Sequence, residues 1–221
     1  FLAKSLSQLF FDNFIGENNR WLISIGKGLG VTLAVTSFAV ACGLVIGSLM
    51  AVLRVSYQRA DRKNWLLKIG NAIANLYITV IRGTPVALQL LIIYMVVFKF
   101  QGNGILVGGV AFGINSGAYV AEIIRGGILA VDKGQTEAGL SLGLSNATVM
   151  TRIVAPQALK TVLPSLGNEF IAVLKETAIL GTVSVYDLTF VSQNIISYTR
   201  DYLFNLCGVA VLYLAIVLLL T

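Results

Sequence analysis

Five stretches of this chain are apolar for long enough to cross a lipid bilayer, and no other feature constrains the fold as much. A hydrocarbon core about 30 Å thick takes roughly 20 helical residues, because every backbone N–H and C=O must find its partner inside the segment. The stretches run from about Ile25 to Leu53, Asn71 to Phe100, Ile105 to Leu129, Thr161 to Val183 and Tyr202 to Leu220. Composition agrees: of 221 residues, 57% are hydrophobic and 12% charged, against roughly 45–50% and about 25% in soluble domains. The expected fold is an all-α integral membrane bundle of five transmembrane helices.

Charge sets the expected orientation. The first stretch ends in a basic cluster, Arg54, Arg59, Arg62, Lys63 and Lys68, opposed only by Asp61. Basic residues flanking a crossing stay in the cytoplasm, so the N-terminus is expected outside and, five crossings later, the C-terminus inside. The net charge of +6 then reflects topology, and no nucleic-acid partner is implied. The second stretch is too long for one crossing and is interrupted at Arg82-Gly83-Thr84-Pro85, where Pro85 brings no amide. Residues 65 to 82 are expected to form an elbow helix near the cytoplasmic interface, followed by an outward crossing from Pro85 to Phe100.

Residues 1–24 read as a separate extracytoplasmic segment. Leu2, Leu6, Leu9, Phe10 and Phe14 recur at helical spacing, and Trp21 suits the headgroup region, which predicts an amphipathic helix lying along the outer interface. Residues 25–221 are the transmembrane domain, with a more polar cytoplasmic loop at about 130–160. The chain begins at Phe1 and Thr221 interrupts an apolar run, so trimmed ends are expected; no signal peptide is visible.

Small residues repeat every four positions in two crossings: Ala39, Gly43, Gly47 and Ala51 in the first, Gly109, Gly113, Gly117 and Ala121 in the third. Such stripes let another backbone approach closely, so these faces are expected to pack inside the bundle.

Catalytic chemistry finds little to work with. With no histidine in the chain, histidine triads, imidazole bases and His-ligated metal sites are excluded. Cys42 and Cys207 lie inside apolar runs and read as small hydrophobes. The phosphate loop G-x-x-x-x-G-K-[ST], H-E-x-x-H, C-x-x-C and G-x-S-x-G do not occur. No catalytic residue, no metal site and no cofactor on this chain are expected, and an enzyme working alone is disfavoured.

Polar residues inside crossings point elsewhere, because charge at mid-bilayer is costly and faces a cavity or a partner. Glu122 and Arg125, three apart, are expected to form an ion pair on one helix face, with Arg82 a second candidate to hold Glu122. The fourth crossing carries Asn168, Glu169, Lys175 and Glu176. Glu169 and Lys175 lie about 240° apart around a helix, so each needs water, another helix or a ligand. A polar path follows, making transport or ion conduction the leading class.

The loop between the third and fourth crossings reads Glu137-Ala138-Gly139, three residues, Gly143, nine residues, then Ile153-Val154-Ala155-Pro156. It resembles the EAA motif of membrane subunits from ATP-binding-cassette importers, with Gly139 where the family usually has Ala and Ala155 where it often has Leu. The pattern predicts a short helix at about 137–142, a turn at Gly143 and a second helix from about Asn146 to Val154, with Gly139 loosening the first by up to about 1 kcal/mol. Further stretches are similar to the permeases of the histidine, glutamine and arginine type: Arg82-Gly83-Thr84-Pro85, Asn115-Ser116-Gly117-Ala118-Tyr119, Val131-Asp132-Lys133-Gly134-Gln135, Pro156-Gln157-Ala158-Leu159 and Gly167-Asn168-Glu169-Phe170.

The resemblance implies a type I ABC importer permease fold in a bacterial cell membrane, with a cytoplasmic coupling helix. It also implies the partners: ATP-binding-cassette ATPase subunits that carry ATP and Mg, a second identical or homologous permease subunit, and an extracytoplasmic substrate-binding protein delivering a polar amino acid. Glu137, Ala138, Gly143, Leu144, Ser145 and Ala147 become the ATPase-coupling candidates. Asn115, Ser116, Glu122, Asn168 and Glu169 become the substrate-binding candidates, since a carboxylate can pair with the ammonium of an amino acid. Pro85 and Pro164 are expected as bending points. An oligomeric channel or small secondary transporter is the alternative.

Overall fold

A computed structural model describes residues 19–60 and 64–221, together with Gln8, Phe11 and Ile15. The amphipathic repeat Leu2, Leu6, Leu9, Phe10 and Phe14 lies outside the described residues. Among those described, every element is helical.

Helix α1, Arg20–Arg59, has 40 residues, a rise of about 60 Å, so it overshoots the first apolar stretch at both ends. Helix α4, Gly104–Ala130, starts where the Asn103 side chain accepts from the Ile105 N–H at 2.8 Å. The two small-residue stripes face each other along these helices. A Cβ built on Gly47 would sit 2.8 Å from the Gly117 carbonyl oxygen, and one on Gly113 would sit 3.2 Å from that of Ala39. Ala39, Ala51 and Ala121 are fully buried. Backbones this close leave no room for larger side chains, and dispersion across the seam takes the place of a hydrophobic driving force that lipid does not supply.

Helix α2, Trp65–Gly83, begins at Asn64, whose side chain accepts from the Leu67 N–H. It stops at Thr84-Pro85, and α3, Val86–Ile92, with a π-helical turn over Ile93–Val97, departs at 106°. The elbow is therefore present. The segment after it rises only about 18 Å for its 12 residues, less than a hydrocarbon core.

Helix α5, Lys133–Ser141, follows α4 closely, and α6, Asn146–Val149, continues through a π-helical turn at Met150–Val154 into α7, Ala155–Glu176. The sequence places the fourth crossing from Thr161, but the chain is helical from Asn146 onward. The widened turn lies just ahead of Pro156, which supplies no N–H to the ladder. Pro164 sits inside α7, and the expected bend at Pro85 is present.

A 3-10 segment, Thr177–Val183, leads to α8, Leu188–Thr199, which the sequence reading did not anticipate. Asp187 caps it, accepting from the N–H groups of Phe190 at 2.9 Å and Thr189 at 3.0 Å. Leu188, Val191 and Ile195 pack on Trp21 and Ile25 of α1. Helix α9, Tyr202–Leu220, is capped by Asp201 and presents most of its apolar surface outward.

By length and composition α1, α4 and α9 can each cross a membrane, and the bent α2–α3 pair makes a fourth. Helix α7, which carries Lys160, Glu169, Lys175 and Glu176, is not among them.

Candidate functional site

Two places on the molecule gather the residues singled out from the sequence. The first is the turn between α5 and α6. Gly143 has φ +77°, its N–H bonds the Leu140 carbonyl at 2.9 Å, and the Leu144 N–H bonds that of Gly139 at 3.2 Å. Those two bonds around a left-handed glycine end a helix by the Schellman arrangement. Two residues later Ser145 starts the next helix, its hydroxyl accepting from the Thr148 N–H at 3.2 Å. The helix, turn and helix expected from the motif are all present.

Gly139 plays a different part from the expected one. Helix α5 runs through it unbroken, and it is buried where a Cβ would meet Val149 Cγ2 at 2.8 Å and Ile153 Cδ1 at 3.0 Å. The missing methyl lets α5 rest on the α6 segment. Glu137, Ala138, Gly143, Leu144, Ser145 and Ala147 are all exposed. So are Leu140 and Leu142, the latter 81% exposed at the tip. Leu142 is absent from the sequence-based set, although an apolar residue beside a turn glycine in a polar loop was a visible signal. A cleft of about 380 Å³ flanks the turn, lined by Ser56 and Arg59 of α1 with Thr136, Asn146, Ala147 and Met150.

The second place is the inner face of α4. Ser116, fully buried, donates to Glu169 Oε1 of α7 at 2.8 Å. Asn115 Nδ2 donates to Gln89 Oε1 at 2.9 Å, and Gln89 Nε2 donates to the Ile81 carbonyl and to Thr84 Oγ1, each at 2.8 Å. Two turns further along α4, Glu122 accepts from Arg125 Nη2 at 2.7 Å and also from Arg54 Nη1 of α1. The expected Glu122–Arg125 pair is present, and Arg54, missed from the sequence, completes it. Arg82 lies over the Tyr119 ring at 5.1 Å. Asn168 is exposed, one position round the helix from Glu169. Glu169 and Lys175 do not pair, as their spacing requires.

Asn115, bonded to Gln89 of α3, and Ser116, bonded to Glu169 of α7, are neighbours on α4; Glu122 belongs to a separate charged cluster, and Asn168 joins neither. Gln89 and Arg54 were illegible as partners because they sit 26 and 68 positions from Asn115 and Glu122. Among the described residues no group of His, Cys, Asp or Glu side chains can hold a metal ion. Glu169 accepts one side-chain hydrogen bond, from Ser116, and the turn leaves the apolar side chains of Leu140 and Leu142 exposed.

Comparison with known proteins gives a consistent result. Residues 43–221 match the family described as the binding-protein-dependent transport system inner membrane component. A putative glutamine transport system permease protein of Rickettsia felis is 38% identical over 203 residues, spanning 90% of this chain and 89% of the relative. An arginine transport system permease protein of Bacillus subtilis is 35% identical over 198 residues, spanning 88% and 86%. The crystal structure of an amino acid ABC transporter with histidines superposes with a TM-score of 0.84 at 37% identity, covering all of this chain and 95% of the other.

Proposed function

Because the chain belongs to the binding-protein-dependent transport system inner membrane component family, and is thus the permease component of an ABC transporter, we propose that it forms the translocation pathway for a polar amino acid and is driven by a separate ATPase. It crosses the bacterial cell membrane five times, N-terminus outside and C-terminus inside, with α7 as the fourth crossing. Its charged residues face the interior of the assembly there instead of lipid. A second identical or homologous permease closes the pathway, and an extracytoplasmic binding protein delivers the solute. This chain catalyses nothing; ATP and Mg are held by the partner ATPase.

The observation that carries the reading is the exposed turn from Glu137 to Ala147, with Leu142 at its tip and glycine geometry at Gly143. Glu137, Ala138, Gly143, Leu144, Ser145 and Ala147 form the surface that meets the ATPase. ATP has to bind one state of the assembly more tightly than the other, and this protrusion transmits that difference to the bundle. The substrate face comprises Asn115, Ser116 and Glu169, with Asn168 beside it, and Glu169 pairs with the ammonium of the amino acid. Glu122 braces the bundle through Arg54 and Arg125. A polar amino acid is supported by the relatives named for glutamine and arginine transport. Family membership also weighs against a self-contained channel or secondary transporter.

Gly143→Asp tests the coupling role. Nothing lies within 4 Å of a Cβ at this position, so the cost to the fold is the strain of a left-handed residue, about 1–2 kcal/mol. The variant is expected to insert normally while uptake falls at least about tenfold and the ATPase no longer copurifies. Normal substrate-stimulated ATP hydrolysis in the complex would overturn the assignment.

A further inference from the structure

The break between α2 and α3 leaves backbone groups without partners, and one side chain supplies them. In a continuous helix the N–H of residue 85 would bond the Ile81 carbonyl four residues back. Pro85 has no N–H. The Leu88 N–H, which in a continuous helix would bond the Thr84 carbonyl, turns instead to that of Pro85 at 3.0 Å, where the Gln89 N–H makes its ordinary helical bond at 3.1 Å. Ile81 is half-buried, and a carbonyl shielded there needs a donor from the protein.

Gln89 is buried, 8% exposed, and its side chain reaches back across the break. Nε2 lies 2.8 Å from the Ile81 oxygen, 2.8 Å from Thr84 Oγ1 and 3.2 Å from the Thr84 carbonyl. The Thr84 hydroxyl in turn donates to the Val80 carbonyl at 2.9 Å. The other end of the same amide, Oε1, accepts from Asn115 Nδ2 on α4. One neutral side chain therefore donates to two of the carbonyls at the bend, those of Ile81 and Thr84, and holds Asn115. An Asn has two donors and one carbonyl; with Nδ2 committed to Gln89, the orientation of the Asn115 amide is set.

We propose that Gln89 is a positioning residue of the permeation pathway: its amide stands in for the N–H that Pro85 lacks and, through Asn115, ties the 106° elbow to the face that meets the substrate. The second half rests on the reading that Asn115 belongs to that face. The two halves make separate demands, since the bend needs a donor for Ile81 and Asn115 needs an acceptor.

The test uses the complete transporter reconstituted with its ATPase and binding protein, with labelled L-glutamine and L-arginine as probes. Gln89→Leu keeps bulk and removes every hydrogen bond. It is expected to lower the thermal midpoint of the complex and to raise the KM for the transported probe at least tenfold, with kcat within twofold. Asn115→Leu is expected to raise KM by a similar factor, and the double variant to be no more than twofold worse than either single one. Pro85→Ala returns an N–H and removes the ring that holds Thr84 in extended backbone, so the helix can close on Ile81, and Gln89→Leu with Pro85→Ala is expected to recover part of the midpoint while KM stays raised; this arm also serves if Gln89→Leu alone does not assemble.

Failure of Pro85→Ala to recover any of the midpoint overturns the stand-in role. A KM unchanged by Gln89→Leu but raised by Asn115→Leu overturns the positioning role and leaves the substrate face intact. A KM unchanged by Asn115→Leu removes Asn115 from the substrate face, and with it the positioning half, while the recovery arm still decides the stand-in half.

Discussion

Two polar clusters sit about 10 Å apart along α4, and they are built on opposite plans. At Glu122 a carboxylate is saturated by charge: Arg125 and Arg54 both donate to it, and its side chain is 19% exposed. At Asn115 and Ser116 the partners are neutral amides and a hydroxyl, and the carboxylate of Glu169 accepts a single side-chain bond, from Ser116. A carboxylate offers about four acceptor sites. Glu122 spends most of its capacity inside the protein and Glu169 keeps most of its own. On the function proposed above, the satisfied acid is the brace and the one with spare acceptors is the place for the ligand.

The comparison breaks most visibly at Glu122. Replacing it by Gln leaves two guanidinium groups facing each other across α1 and α4 without an anion. Removing one partner of a fully buried pair costs about 3–5 kcal/mol. With a fifth of the side chain exposed the expected loss is about 2–3 kcal/mol, read as a drop in the thermal midpoint of the purified complex, with the KM of the assembled fraction little changed. A raised KM at unchanged stability would move Glu122 to the substrate face.

Arg54→Gln and Arg125→Gln each leave Glu122 one guanidinium, so each is expected to cost about 1–2 kcal/mol. Combined with Glu122→Gln neither should add more than about 0.5 kcal/mol, because the interaction is already gone. Full additivity in that cycle would mean the three residues do not act as one cluster. Ser116→Ala comes next, at about 1 kcal/mol for one buried hydrogen bond, and is measured the same way.

What the sequence revealed divides along the same line as local and distant interactions. The helix, turn and helix around Gly143 were legible because each piece is decided within a few residues: a left-handed glycine closes one helix and Ser145 opens the next. The stripes at Gly43 and Gly113 were legible as packing faces because spacing alone puts them on one side of a helix. The Glu122–Arg125 pair followed from their separation of three. Arg54 did not follow, since it counted as a topological charge at the end of the first crossing and only the packing of α1 on α4 brings it to Glu122. Gln89 was missed because a neutral amide inside an apolar run carries no pattern, although its position four residues after a proline in a broken span was a usable hint. Helix α8 was missed between two crossings, where Asp187 followed by Leu188, Val191 and Ile195 spelled a capped amphipathic turn. The packing role of Gly139 was not legible because its reason lies across the turn, in Val149.

The smallest expected change in stability is at Glu169, and it sharpens the comparison most. Gln is nearly isosteric and its carbonyl oxygen can still accept from Ser116, so Glu169→Gln should move the thermal midpoint by less than the equivalent of about 0.5 kcal/mol. The negative charge is what changes. A hydrogen bond from an ammonium to a carboxylate is worth about 1.5–3 kcal/mol, so losing the charge should raise the KM for L-glutamine or L-arginine by about 10- to 100-fold. Glu122→Gln should show the reverse profile, a less stable protein that still recognises its substrate. Were Glu169→Gln to transport and bind both probes as the parent does, its spare acceptor capacity would be an accident of packing, and the brace and the ligand site could no longer be told apart by counting the partners of each carboxylate.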